Sequence, residues 1–326
     1  SPSLPPSVVT RTPRDGARLS GGKVAFRWTR AARADDSVIA QTLRISPTED
    51  FRTPTLELTD LREAQTLVDI DARFEPDRWY FWEIVTANAA GQTPSPGPPA
   101  RFRIDPTLPP AQETLDPPRP VGPRGESLSA ALRGNPAPQF GQWQPSTGWK
   151  PAPGPDGATD GAVALDGKSE RLIYTLGGWP EDDYSLSIRF SIRSLPAGRI
   201  GQIFSAWRAP MDDPLRLVID AGRLFARIEA GGLTSTQGVP IEPGRWHHAA
   251  VVKAESRLTL FLDGKEVTSA AAPALISTQA TDSALGGNPH YTGNEFLAVD
   301  LADFAFFPRA LGPDEVRALA RTTASE

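Results

Sequence analysis

The chain has 326 residues, enough for two domains of ordinary size, and its hydrophobic (39%) and charged (22%) fractions are those of folded globular proteins. A formal charge of −5 argues against nucleic-acid binding, and no apolar run approaches the roughly 18–20 residues that span a bilayer. The sequence has no cysteine, which excludes disulfide scaffolds, zinc–thiolate sites and thiol nucleophiles.

Short β-type runs separated by turns fill the first hundred residues. Gly, Pro and Asp occupy the intervening segments, as turns require. In WYFWEIVTAN, Tyr80, Trp82, Ile84 and Thr86 share one face of a strand, while Glu83 and Ala87 take the other. Such strands without a helical pattern predict an antiparallel β-sandwich. The predicted strands are 23–29, 40–46, 66–71, 79–88 and 100–105.

The stretch FEPDRWYFWEIVTANAAGQTPSP resembles the end of a fibronectin type III domain. Phe74, Pro76 and Tyr80 fall on the spacing of that family's Leu-x-Pro-x-Thr-x-Tyr pattern, although Arg78 replaces the family's threonine. Trp28 in FRWT matches the family's core tryptophan. The resemblance implies an immunoglobulin-like sandwich in which the Tyr80 hydroxyl bonds back to the backbone.

Residues 107–124 (TLPPAQETLDPPRPVGPR) are rich in proline and lack an apolar pattern. A tract of this composition predicts a semi-rigid linker. We therefore expect three parts: a fibronectin type III-like domain at 1–106, a linker at 107–124 and a second domain at 125–326.

The second half also consists of predicted strands. An Asp-Gly turn between alternating apolar residues in LTLFLDGKEVT predicts a tight hairpin. One helix is predicted at 313–321, where Pro313 suits a first turn. The predicted strands are 161–167, 184–193, 200–207, 214–220, 223–230, 247–254, 257–270 and 296–307.

Six segments of this half resemble the laminin G-like, concanavalin A-like family, in that family's order: 162–167, 184–192, 243–252, 258–267, 284–289 and 300–316. The resemblance covers about residues 125–321 and implies a jelly-roll sandwich. The predicted fold class is thus all-β, with an Ig-like sandwich, a concanavalin A-like jelly-roll sandwich and a short C-terminal helix.

The adjacent histidines His247 and His248 are interpreted as part of a strand. Neighbouring residues on a strand point to opposite faces, so the two rings cannot both bind one metal ion. Jelly-roll glycosidases carry two acidic residues on one face of an apolar strand, and residues 160–310 hold no such pattern. We expect no catalytic residues and no enzymatic activity.

Exposed aromatic rings beside amide groups suit a sugar ligand. The loop GNPHYTGNE and the end of strand 200–207 supply these groups. The alternative is that Trp207 ends a core strand and the loop is merely polar. The predicted ligand-binding residues are Trp207, Asn288, His290, Tyr291 and Asn294.

The family resemblance also implies one structural calcium ion. Asp166 and Asp303 occupy the family's recurrent aspartates, and carboxylates are the ligands that Ca²⁺ prefers. In the alternative interpretation, Asp166 caps a tight turn and Asp303 anchors Arg309. Both interpretations stay open at the level of the sequence.

These features predict a non-catalytic protein that binds a glycan or a surface glycoprotein, together with other modules of a larger carbohydrate-active or adhesive assembly. The two module types imply a secreted, periplasmic or cell-surface location. The main alternative is a structural or protein-interaction module without a sugar site. A glycoside hydrolase is disfavoured because the paired carboxylates are missing from the second half.

Overall fold

The computed structural model describes residues 3–30, 39–118 and 120–321. The chain divides into two compact units, Ser1–Pro118 and Arg119–Glu326. The predicted all-β class and the short C-terminal helix are confirmed. Within the described ranges, no helix is long and apolar enough to cross a membrane.

The first unit is a sandwich of two sheets. One sheet has the order β1-β3-β10, with β6 also paired to β3, and the other has the order β2-β9-β7-β4-β5, with β8 also paired to β7. Aromatic side chains from both sheets fill the space between them. The strands are β1 (Thr10–Thr12), β2 (Ala17–Leu19), β3 (Gly22–Trp28), β4 (Ala40–Ser46), β5 (Leu56–Leu61), β6 (Gln65–Ile70), β7 (Trp79–Asn88), β8 (Gly91–Pro94), β9 (Ala100–Ile104) and β10 (Ala111–Gln112).

Strand β7 shows how the sequence pattern builds this core. Its alternation buries Tyr80, Trp82 and Ile84 completely or nearly so. The Tyr80 hydroxyl accepts a hydrogen bond from the backbone amide of Glu75 at 2.8 Å. Trp28 is also buried, and its indole donates to Gln41 Oε1 at 2.6 Å. These contacts are those that the fibronectin resemblance implies, while membership of that family stays a prediction.

Residues 107–118, the first part of the predicted linker, belong to the first unit. β10 lies parallel to β3, with Ala111 opposite Gly22, where an added Cβ would come within 2.3 Å of the Ala111 carbonyl oxygen. Further along, Glu113 Oε2 accepts the backbone amide of Ala25 at 2.8 Å. An open strand edge presents unpaired backbone groups. This Pro-rich segment forms hydrogen bonds with those groups on β3, although its composition is that of a linker.

The second unit is a larger sandwich of two eight-stranded sheets. The β16 sheet has the order β13-β14-β26-β16-β22-β23-β24, with β11 also paired to β26. The β18 sheet has the order β12-β15-β25-β17-β18-β19-β20, with β21 also paired to β19. The elements are β11 (Leu128–Ala130), β12 (Gln142–Gln144), β13 (Lys150–Ala152), β14 (Ala162–Asp166), β15 (Leu172–Thr175), β16 (Tyr184–Ile192), β17 (Gly201–Ser205), β18 (Asp212–Asp220), β19 (Arg223–Ala230), β20 (Leu233–Ser235), β21 (Val239–Pro240), β22 (Trp246–Ala254), β23 (Arg257–Leu262), β24 (Lys265–Ala271), β25 (Asp282–Leu285), β26 (Ala298–Phe307) and helix α1 (Pro313–Arg321).

Apolar side chains of both sheets form one core between them. Helix α1 packs on the opposite face of the β16 sheet, where Val316 lies buried against Ala250 and Val252. Arg189 donates to the carbonyl oxygens of Leu319 and Ala320 near the end of the helix. A cation at this end interacts favourably with the negative end of the helix dipole, and its N–H groups bind carbonyl oxygens that have no partner inside the helix.

The two adjacent histidines lie on opposite faces of β22, as alternation predicts. His247 faces the core near the Phe190 ring, and its Nδ1 lies 3.0 Å from Asp263 Oδ2. His248 faces the other way, where its Nε2 lies 2.9 Å from the Ser187 hydroxyl. The rings are built into the sheet and do not converge on one point.

We expect residues 1–118 to melt at a higher temperature than residues 1–108. The shorter fragment loses three hydrogen bonds to Gly21, Lys23 and Ala25, together with those of Thr114 and Asp116 to Arg27, and a typical bond contributes about 1 kcal/mol net. At roughly 4–8 °C per kcal/mol for a domain of this size, the difference exceeds 5 °C. Circular dichroism melts measure it, with Leu115→Ala in the longer fragment as a control at an exposed position. Equal melting temperatures would contradict the assignment of this segment to the first unit.

Acid should destabilise the second unit through His248. Burial, reinforced by the nearby Arg189, lowers the pKa of His248 from 6.5 to about 4. Between these values the unfolded chain binds a proton that the folded chain excludes, so the free energy of unfolding falls as pH drops, by up to about 3 kcal/mol. Urea unfolding at pH 7 and pH 4.5 should show this loss in the wild type and a smaller one in His248→Gln.

Ser187→Ala is the matched control for this measurement. It removes the hydroxyl beside the ring and leaves His248 buried, so it should keep the acid-dependent loss. An equal loss in the wild type and in His248→Gln would assign the acid sensitivity to another group.

Candidate functional site

Two aromatic rings from distant segments meet at the surface of the second unit. Trp207 follows β17, and Tyr291 lies in the loop between β25 and β26. Their ring centroids are 5.4 Å apart and their planes are inclined by 48°. Tyr291 is 42% exposed, and Trp207 is half-buried. This aromatic pair, Trp207 and Tyr291, is the candidate site, and the structure brings together two residues that the sequence analysis selected separately.

A tight turn between β17 and β18 positions Trp207. The backbone amide of Arg208 donates to the carbonyl oxygen of Asp212 at 2.8 Å, which closes the turn. Met211 completes it with a positive φ of 62°. The amide of Trp207 itself donates to the Ser205 hydroxyl at 3.1 Å. The indole is therefore held by a short, hydrogen-bonded segment at the end of a buried strand.

The loop 286–297 positions Tyr291, and one glycine makes its conformation fit. A Cβ added at Gly293 would lie 2.1 Å from the Tyr291 ring, so the phenol ring lies directly over the Gly293 backbone. Arg171 donates to the carbonyl oxygen of Tyr291 at 3.4 Å. The guanidinium of Arg171 also stands over the Phe296 ring at 5.8 Å, within the range of a cation–π contact.

The other three predicted ligand-binding residues have different surroundings. His290 lies at the surface, with its Nε2 3.0 Å from Asp282 Oδ2. Asn294 is exposed on the same loop. Asn288 is only 2% exposed and bonds the protein at both ends of its amide, so it lies behind the aromatic pair, where a ligand on the rings does not reach it.

A buried charged network lies on β18 and β19, and the sequence analysis missed it. Asp213 is completely buried, and its Oδ2 accepts from Arg216 Nε at 2.7 Å. Arg216 also donates to Glu229 Oε2 at 3.1 Å. Burial raises the pKa of Asp213 to about 7, and the Arg216 charge opposes this shift. The sequence analysis searched for two acidic residues on one face of a single strand, whereas Asp213 and Glu229 lie on two paired strands.

The same network bears on the question of catalysis. Asp213 and Glu229 lie opposite each other on the paired strands β18 and β19. Arg216 pairs with both carboxylates. Paired in this way, neither carboxylate is free to protonate a leaving group or to act as a nucleophile. The network instead holds the charges in place.

The two predicted calcium ligands do not share a site. Asp166 Oδ1 accepts the backbone amides of Lys168 and Ser169 at 2.8 and 3.2 Å, so it caps a tight turn. Asp166 pairs with Ala298 on β26, whereas Asp303 lies five residues further along that strand. In the described parts of the chain, no three His, Asp or Glu side chains are grouped to hold a metal ion.

Asp303 is engaged by an arginine. Its Oδ2 lies 3.1 Å from Arg189 Nε, the side chain that binds the end of helix α1. Arg309, the alternative partner considered for Asp303, instead pairs with Glu315 at 2.7 Å. The residues present therefore do not fit the calcium ion that the resemblance implies.

A two-sheet sandwich with an exposed aromatic pair on its connecting loops has the form of a lectin-like domain. Residues 156–317 match the family model of the concanavalin A-like lectin/glucanases superfamily. This match lies within the second unit. No curated protein sequence matches the chain.

Solved structures share the fold at low sequence identity. The receptor-binding domain of the botulinum neurotoxin C/D mosaic serotype is 11% identical, with a TM-score of 0.50, covering 60% of this chain and 51% of that one. Domain 4 of AbnA, a GH43 extracellular arabinanase from Geobacillus stearothermophilus, is 21% identical, with a TM-score of 0.45, covering 54% and 82%. This chain covers 50% of the length of the first such match, a mutant HCR/D structure. At these identities, the likeness concerns the fold alone.

Proposed function

We propose that the second unit is a non-catalytic module that binds a glycan at the aromatic pair. The observation that carries this proposal is the exposed contact of Trp207 and Tyr291 at 5.4 Å, on loops of a lectin-like sandwich. Large rings with a polar edge provide apolar contact area for the C–H faces of a sugar together with hydrogen bonds to its hydroxyls. His290 and Asn294 supply further polar groups on the same loop.

The charges around the pair favour a neutral glycan. Both nearby carboxylates already have partners in the protein, since Asp282 lies beside His290 and Glu295 accepts two side-chain amides. The net charge of −5 gives the chain no general attraction for a polyanion. Binding through stacking and neutral hydrogen bonds depends little on salt because there is little charge to screen.

A binding role is favoured over hydrolysis by the state of the carboxylates. The matched family includes glucanases as well as lectins, so the fold alone does not decide. Asp213 and Glu229 face each other on paired strands, and both are paired with Arg216. We therefore propose that the chain is not an enzyme.

The proposal extends to the whole chain. The first unit would be a fibronectin type III-like module, supported by its two-sheet sandwich and the bond from the Glu75 amide to the Tyr80 hydroxyl. A module of this type beside a lectin-like domain suits an adhesive or carbohydrate-active assembly with further modules. Its location would be secreted, periplasmic or cell-surface, and its partner a glycan or a surface glycoprotein.

A glycan array identifies the ligand, and Tyr291→Ala then tests the site. Loss of one of the two rings should raise the Kd for an array-positive sugar by about tenfold. Isothermal titration calorimetry measures the Kd. Trp79→Ala is the matched control, since Trp79 is also an exposed aromatic residue but lies in the first unit. Raising NaCl from about 0.05 to 0.5 M should change the Kd less than about twofold.

Three results would count against this proposal. Unchanged affinity in Tyr291→Ala would move the site elsewhere on the molecule. Binding that collapses in salt would indicate an arginine-built, electrostatic site. An array without any positive sugar would favour the alternative, a structural or protein-interaction module.

A further inference from the structure

A single buried hydroxyl lies between the two segments that carry the aromatic pair. Ser205 is the last residue of β17 and is completely buried. Its Oγ lies 2.6 Å from Asn288 Oδ1 and 3.0 Å from Asp213 Oδ2, and it accepts the amide of Trp207 at 3.1 Å. The hydroxyl therefore contacts both the turn that holds Trp207 and the loop that holds Tyr291.

On the Trp207 side, the Ser205 hydroxyl and the buried Asp213 carboxylate bind consecutive backbone amides. Asp213 Oδ1 accepts the backbone amide of Ala206 at 3.1 Å, one residue before Trp207. Arg216 fixes the other oxygen of the same carboxylate at 2.7 Å. Two consecutive backbone amides are thus bound by buried side chains, which sets the direction in which the chain leaves β17.

On the tyrosine side, the hydroxyl reaches the loop through an amide and a carboxylate. Asn288 Nδ2 donates to Glu295 Oε2 at 2.6 Å, and Gln202 Nε2 donates to the same oxygen at 2.9 Å. The backbone amide of Gln202 also donates to the carbonyl oxygen of Glu295 at 3.0 Å. Asn288 and Glu295 flank Tyr291 on both sides, so they close the loop segment that presents its ring.

The hydroxyl has one proton and two acceptors. It can donate to Asn288 or to Asp213, and the distance of 2.6 Å against 3.0 Å favours Asn288. Asp213 has two other donors, the Ala206 amide and Arg216, so it is satisfied without this proton. The hydrogen bond that Ser205 donates to Asn288 therefore joins the segment that holds Trp207 to the loop that holds Tyr291.

We propose that Ser205 is a positioning residue that couples the two halves of the aromatic pair and sets their spacing before a ligand arrives. Its consequence for affinity rests on the proposed function, whereas the coupling itself is a property of the free protein. Order that exists before binding does not have to be created by the ligand, and this strengthens binding. Ser205 acts through Trp207 and Tyr291 and does not touch the ligand.

The indole N–H signal of Trp207, assigned with Trp207→Phe, measures the coupling without any ligand. In the wild-type background, Tyr291→Ala should shift this signal because it removes a ring 5.4 Å away. In a Ser205→Ala background the same substitution should shift it by about half as much or less, since the rings are no longer held together. Near-UV circular dichroism confirms that each variant is folded.

Ser283→Ala is the matched control. Ser283 is also completely buried in the β18 sheet, but its hydroxyl has no hydrogen-bond partner among the residues that the structure describes. The Ser283→Ala background should keep the full shift. If Ser205→Ala does not fold, Asn288→Ala breaks the same bridge from the loop side and should reduce the shift equally. A full shift in every background would overturn the proposal.

Affinity provides the second measurement. Ser205→Ala should weaken binding of an array-positive sugar on the order of fivefold, the effect of one lost hydrogen bond, while Ser283→Ala should not. The two failures are distinguishable: a protein that binds no sugar but shows the reduced indole shift loses the proposed function and keeps the coupling. Sugar binding with the full shift in the Ser205→Ala background keeps the function and refutes the coupling.

Discussion

A charge inside a β-sandwich must be paired, and this requirement shapes the candidate site. Asp213 is completely buried, and its carboxylate is satisfied by Arg216 and by a backbone amide. Removing one member of a buried ion pair typically costs about 3–5 kcal/mol, because the other charge is left without a partner. The segments around the pair are therefore held in the one arrangement that keeps these groups bonded.

This constraint explains how loops can present a defined surface. Loops carry binding residues in many folds, but they are precise only when a rigid scaffold positions them. Here the scaffold is the apolar core of two eight-stranded sheets, and the polar network transmits its order to Trp207 and Tyr291. In the proposed function the pair recognises its ligand by stacking, and Asp213 and Glu229 are already paired with Arg216.

Much of the fold could be predicted because its signals are local. Alternation marked β7, the Asp263-Gly264 turn has the positive φ angles of a tight hairpin, and the helix occupies Pro313–Arg321 as its first-turn proline indicates. The role of β10 could not be predicted in this way. A Pro-rich segment has the composition of a linker, and only the open edge of β3 turns it into part of the first unit.

The candidate site, too, could be predicted only in part. Residue types suited to a sugar selected Trp207 and Tyr291, but their contact joins segments 84 residues apart and leaves no periodic signal. Asn288 was selected for its amide, which the structure uses internally. The sequence analysis did not select Ser205 or Asp213, because a single polar residue does not show whether its face of the strand is buried. What decides their role is whether the other sheet, a loop or water covers that face, and this depends on the tertiary fold.

The most direct test of the central claim is a titration of the ¹⁵N-labelled protein with an array-positive sugar, followed through the indole N–H signals of its eight tryptophans. If the aromatic pair binds the glycan, the Trp207 signal moves with saturation while the signal of Trp79, exposed in the first unit, stays in place. A saturable shift of Trp79 with an unmoved Trp207 signal would contradict the account.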